Sequence, residues 1–184
     1  MRDLNALPNL TIALVQTSLA WHDRQANFDH FELLLEQARG ADLIVLPEMF
    51  TTGFSMESQT LAEPENGPTH RWLQAQARKY AAVITGSVII RAADGSHRNR
   101  LLWARPDGEV LHYDKRHLFR MAGEHHHYTP GERQVQCSWS EPTRWWPRLV
   151  RIVFLRPAEP GGANSYVWPD NTFLVIGSAR GANR

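Results

Sequence analysis

The sequence predicts an α/β fold whose sheet runs parallel in its first part and antiparallel in its second. Up to Ile90, short β-branched apolar runs alternate with stretches of helical periodicity, the order that parallel crossovers require. Beyond it, the turn sequences Asp94-Gly95 and Pro106-Asp107-Gly108 separate strand-like runs with no helix between them. The balance is globular: of 184 residues, 42% are apolar and 21% charged, enough for one domain with one core. A single domain over residues 1–184 is therefore expected.

Leu10-Thr-Ile-Ala-Leu-Val-Gln16, following Pro8 and Asn9, reads as a buried central strand. From Arg24 to Arg39, Phe28, Phe31, Leu34, Leu35 and Ala38 recur at helical spacing, and Gly40 stands where a left-handed cap ends a helix. Asp42-Leu-Ile-Val-Leu46 is the next strand, ended by Pro47. Pro68 opens a second helix carrying Trp72, Leu73, Ala77 and Tyr80, which leads into the apolar run Ala81–Ile90. Arg100–Ala104 and Glu109–Tyr113 are then hairpin strands. Arg148–Leu155 and Asn171–Ile176 have strand composition, but Pro157, Pro160, Gly161 and Gly162 interrupt the stretch between them.

Charge and cysteine content exclude several function classes. Twenty Lys and Arg against nineteen Asp and Glu leave a formal charge of +1, unlike a dedicated nucleic-acid binder. No apolar run reaches the ~20 residues of a membrane span, and the N-terminus has no hydrophobic signal core. One cysteine, Cys137, allows neither an internal disulfide nor a multi-cysteine zinc site. A cytoplasmic protein is expected. From Ser138 to Arg184 the composition changes: four of the seven tryptophans, five of the eleven prolines and no lysine fall there. That tail is expected to be loosely packed. Trp145-Trp146 among arginines suggests base stacking only superficially, because no basic surface accompanies it elsewhere.

Two residues stand out for chemistry. Glu48 leaves the second strand at its carboxyl end, where ligand sites of parallel sheets are built, and Pro47 stiffens that exit. Lys115, in Tyr-Asp-Lys-Arg-His-Leu-Phe, is one of only two lysines in an arginine-rich chain, so a compact ammonium is retained where bulk charge would not require it. The alternative is two solvated loop charges. His125, His126 and His127 with Glu124, His117 and His112 offer metal-ligand chemistry. Consecutive histidines diverge in direction, however, and a solvated loop without metal is the expectation.

The segments Leu-Pro-Glu48-Met-Phe-Thr-Thr-Gly-Phe, Gly86-Ser87, Asn99-Arg-Leu-Leu and Tyr113-Asp-Lys115-Arg-His-Leu-Phe resemble, in order and interval, the nitrilase superfamily of carbon-nitrogen hydrolases, and within it the omega-amidase branch. The resemblance covers about residues 10–137 and implies an α-β-β-α sandwich, incomplete at its C-terminal end here. It implies catalysis by a Glu, Lys and Cys triad with a second glutamate and no cofactor. Carried onto this chain, Glu48 is the general base, Lys115 steadies the tetrahedral intermediate and Glu124 is the auxiliary glutamate. Arg116 and Arg120 are candidates to hold a substrate carboxylate. The implied partner is a small carboxylate-bearing amide, such as a 2-oxo-dicarboxylic acid monoamide, and a homodimer is a possible assembly.

The nucleophile departs from the family pattern. Where the family reads Leu-Val-Cys-Tyr-Asp, this chain reads Leu149-Val150-Arg151-Ile152-Val153, and Cys137 lies one strand too early to be expected in that role. Residues 138–184 are accordingly expected to be a divergent tail from a frameshift or truncation. Two functions follow as alternatives: an impaired omega-amidase, or an inactive relative that serves only as a binding or dimerisation module.

Overall fold

The computed structural model describes residues 10–133 and the strand backbone of 150–155. Seven strands form one mixed sheet: β1 (Leu10–Val15), β2 (Leu43–Val45), β3 (Glu63–Pro64), β4 (Val83–Arg91), β5 (His97–Ala104), β6 (Val110–Asp114) and β7 (Val150–Leu155). Their order is β6-β5-β4-β2-β1-β7, with β3 on the end of β4. β7, β1, β2 and β4 run parallel. β5 and β6 are antiparallel additions, each joined to its predecessor by a tight turn. The predicted change of sheet character thus falls at β4, where helical crossovers give way to hairpins.

The crossovers are α1 (Arg24–Gln37) and α3 (Pro68–Tyr80); a short α2 (Ser58–Leu61) and the two-residue β3 lie between β2 and α3, in a stretch without periodic apolar signal. Asp23 caps α1 by accepting the Ala26 N–H at 3.0 Å, a contact worth about 1 kcal/mol. The helix ends two residues before Arg39. Ala38 closes onto the Leu35 carbonyl, and Gly40, at φ +82°, turns the chain into β2. Pro68 occupies the first turn of α3, where its missing N–H has no helical partner to lose.

Both long helices cover one face of the sheet. Phe28, Phe31, Leu34 and Leu35 of α1 and Leu73, Ala77 and Tyr80 of α3 pack on Ala13, Ile44, Ile84, Val88 and Leu102. Phe31 meets Phe50 edge to face at 5.4 Å, which anchors the loop after β2 to the core. On the other face Ile12, Leu43, Val45 and Val83 form a second buried cluster with Trp103 beside it. A sheet apolar on both sides is what a middle layer requires, and it explains the continuous apolar runs of β2 and β4. The described residues contain one of the two sheets of an α-β-β-α sandwich. Cys137, the strand expected at Asn171–Ile176 and the packing of the tail lie outside the described residues. No helix among the described residues is long and apolar enough to cross a membrane.

Candidate active site

Three side chains from separate segments meet at the edge where the parallel strands end. Lys115 Nζ donates to Glu48 Oε1 at 2.8 Å and to the two carboxylate oxygens of Glu124 at 2.9 and 3.2 Å. Each partner is placed by its own local device.

Glu48 is aimed by the turn that follows it. Met49 is fully buried with φ +47°, a conformation uncommon for a residue with a side chain. Its N–H is held by Ser87 Oγ at 2.9 Å, and the next N–H, of Phe50, by the Ser87 carbonyl at 3.2 Å. Gly86 lets this turn approach the sheet: a Cβ there would stand 2.8 Å from Phe50 Cδ1 and 3.0 Å from Leu46 Cβ. The Gly86-Ser87 pair therefore serves a glutamate in the loop after a different strand, β2.

Lys115 follows β6, one step beyond the Arg100–Asp114 register pair, and its N–H donates to the Asn99 carbonyl at 2.9 Å. Arg100 fixes that end of β6 with two hydrogen bonds to Asp114 and one to Glu65. Glu124 opens a 3-10 turn (Glu124–His126) directly after a first one (Arg120–Ala122), and Gly123 links them at φ +72°. The loop closes on its own carboxylate, because the Phe119 N–H donates to Glu124 Oε2 at 2.6 Å. Glu124 is 0% exposed, an extreme for a carboxylate and one explained by its partners.

The cluster carries two carboxylates and one ammonium. Burial pulls the Lys115 pKa down, but hydrogen bonds and the charges of Glu48 and Glu124 outweigh it and leave the pKa raised. The ammonium thus persists at neutral pH. Phe54 lies with its ring centre 5.4 Å from Nζ, and Phe119 sits 6.5 Å from Phe54, so one wall is aromatic. Tyr128, buried, donates to the Ser55 carbonyl; burial first, then the negative charges of Glu124 and Glu48, raise its pKa.

The other candidates are placed differently. Arg116 and Arg120 are exposed, and no hydrogen bond or ion pair among the described residues ties their side chains to the cluster. The rings of His125 and His126 lie 3.9 Å apart, tilted by 40°, while Glu124 faces Lys115 instead. Among the described residues no three His, Cys, Asp or Glu side chains are gathered to hold a metal. Asn99 was legible only as part of a motif. Its Nδ2 donates to Glu48 Oε1 at 2.6 Å and to Glu124 Oε1 at 3.0 Å, and its place opposite Lys115 in the hairpin was the available signal.

A mixed sheet covered by helices, with two glutamates and a lysine meeting at one edge, defines a nitrilase-type architecture. Comparison with known proteins agrees: the carbon-nitrogen hydrolase family model matches residues 11–172, past residue 137 where the motifs end. The chain belongs to the carbon-nitrogen hydrolase family. It is 45% identical over 148 residues to the omega-amidase YafV of Yersinia enterocolitica, covering 80% of this chain and 56% of that one. With the Escherichia coli K12 omega-amidase YafV it shares 46% over 147 residues, 80% and 55% of the two chains. Among solved structures it is similar to XC1258 of Xanthomonas campestris, a CN-hydrolase superfamily protein with an arsenic adduct in its active site. That match has 47% identity and a TM-score of 0.68, and covers 73% of this chain and 49% of that one. Nit3 of Saccharomyces cerevisiae, of the nitrilase superfamily, matches at 25% identity and TM-score 0.60, over 67% and 49% of the chains. The chain thus spans little more than half the length of the omega-amidases it matches.

β7 bears on the nucleophile. It runs parallel to β1 in the register Leu10↔Val150 to Val15↔Leu155, so its carboxyl end lies at the same edge of the sheet as the exit to Glu48. That end is Leu155, not Arg151, which the Leu-Val motif had aligned with the family cysteine. Arg151 pairs with Thr11 near the opposite end of the strands. Neither position is a cysteine.

Proposed function

We propose that the Glu48–Lys115–Glu124 cluster is an omega-amidase-type site for the amide of a small carboxylate-bearing molecule, such as a 2-oxo-dicarboxylic acid monoamide. The observation that carries this is the convergence of both carboxylates on one half-buried ammonium. The names of its relatives, omega-amidase YafV and the 2-oxoglutaramate amidase of Bacillus subtilis, which is 29% identical over 125 residues, support the substrate class.

In the full reaction, Glu48 takes the proton of a cysteine thiol and the thiolate adds to the amide carbon. Negative charge then develops on the former carbonyl oxygen, where the Lys115 ammonium is already in place and needs no reorganisation. The C–N bond breaks as Glu48 returns the proton to the leaving nitrogen, releasing ammonia and leaving a thioester. Water, deprotonated by Glu48, attacks the thioester to give the acid and the free thiol. Glu124 holds Lys115 alongside Glu48, and Arg116 or Arg120 would meet the remote carboxylate of the substrate.

The thiol is the missing part: β7 carries no cysteine. We therefore propose that turnover is impaired in this chain, and that amide binding without hydrolysis is its second reading. Purified protein, given the monoamide, is assayed for ammonia beside Glu48→Gln and Cys137→Ala variants. The expected result is no release above the uncatalysed rate. Release abolished by both substitutions would make Cys137 the nucleophile, and release that survives Glu48→Gln would remove Glu48 from the mechanism.

A further inference from the structure

Asn99 touches every member of the charged cluster. One nitrogen, Nδ2, lies 2.6 Å from Glu48 Oε1 and 3.0 Å from Glu124 Oε1, so its two N–H bonds go one to each carboxylate. Its main-chain carbonyl accepts the Lys115 N–H at 2.9 Å. The residue is 2% exposed, so water offers little substitute for either donor. Without the amide, two like-charged groups would share a single ammonium and one would be driven out of its place.

We infer that Asn99 is a positioning residue, whose side-chain amide clamps Glu48 and Glu124 together on Lys115 and so fixes the geometry and charge of the site. The inference rests on the proposed roles of those three residues but does not depend on turnover. Asn suits the task better than a second cation, which would neutralise the cluster, or Asp, which has the same shape but no donor. The β5–β6 hairpin sets this up in sequence terms, since the register that pairs Arg100 with Asp114 brings residue 99 opposite residue 115.

The chain has only two lysines, which makes the test direct. Acetic anhydride labels free amines, and mass spectrometry compares Lys115 with Lys79, an internal reference on α3 whose side chain is 47% exposed. The groups that face Lys115 are Glu48 and Glu124, with buried Tyr128 close enough to feel both charges and Asp114 held away by Arg100. Asn99→Leu keeps the bulk of the side chain but removes both donors, so it frees the carboxylates from the ammonium and should raise the Lys115/Lys79 labelling ratio at pH 9 by a factor of about five. Asn99→Ala should raise the ratio about as much, and Asn99→Val is the substitute if the leucine variant does not fold. A role confined to packing would leave the ratio at the parent value in Asn99→Leu and raise it only in Asn99→Ala. A rise in both variants supports the inference; an unchanged or lowered ratio in Asn99→Leu overturns it. Because no substrate is used, an inactive parent protein does not affect the outcome.

Discussion

Replacing Lys115 with Met should destabilise the fold in a way that a second substitution repairs. Met keeps the length and apolar stem of lysine and removes only the charge. What remains is Glu124, fully buried, and Glu48, whose side chain is 17% exposed. Both Oε1 atoms hydrogen-bond to the same Asn99 nitrogen, so the two oxygens are closer than about 6 Å; at an effective dielectric of about 20 their repulsion is roughly 3 kcal/mol. That agrees with the ~3–5 kcal/mol usual for removing one partner of a buried pair, and it is a large part of a ~5–15 kcal/mol margin. Adding Glu124→Gln removes one of the repelling charges and keeps the side chain's shape. The double variant should therefore recover about 2 kcal/mol relative to Lys115→Met. Urea unfolding at pH 7, followed by tryptophan fluorescence, gives both midpoints, and they are compared at constant m. A Lys115→Met variant within about 0.5 kcal/mol of the parent, or a double variant no more stable than the single one, would refute the electrostatic account.

Two further predictions concern how the site is built. Gly86→Ala pushes a methyl group into Phe50 and Leu46, so it should cost about 1–3 kcal/mol by overpacking and move the turn that aims Glu48; thermal unfolding checks the first and Lys115 labelling the second. Tyr128 and Lys115 both have raised pKa values, so the stability they contribute is complete below about pH 10 and is lost as pH rises towards their folded-state values. Tyr128→Phe should flatten the alkaline loss of stability between about pH 10 and 12, at the expense of about 1 kcal/mol at pH 7 for the hydrogen bond to Ser55; an unchanged alkaline limb would refute this.

The sheet was legible in the sequence because its two halves obey different periodicities. Arg24–Gln37 and Pro68–Tyr80 have apolar faces and end signals, and the turns at Gly95 and Gly108 have left-handed φ values. Ser58–Leu61 and Glu63–Pro64 left no trace there, being too short to show a period. Glu48, Lys115 and Glu124 could be singled out by strand-end position and motif. Asn99 is visible there only as a member of a motif, because its role depends on which residue the hairpin places opposite it. Arg151 shows the converse: a motif alignment put it in the cysteine's position, whereas strand register places it far from the edge where Glu48 emerges. A Leu-Val dipeptide is too short to fix register, and strand pairing settles it.

An amide site at this cluster is tested most directly by calorimetric titration of the protein with a 2-oxo-dicarboxylic acid monoamide. No turnover is required. Saturable binding to the parent that falls at least about tenfold in Lys115→Met, a loss of about 1.4 kcal/mol, is the predicted result. Binding that is unaltered by Lys115→Met, or no binding to the parent at all, would contradict it.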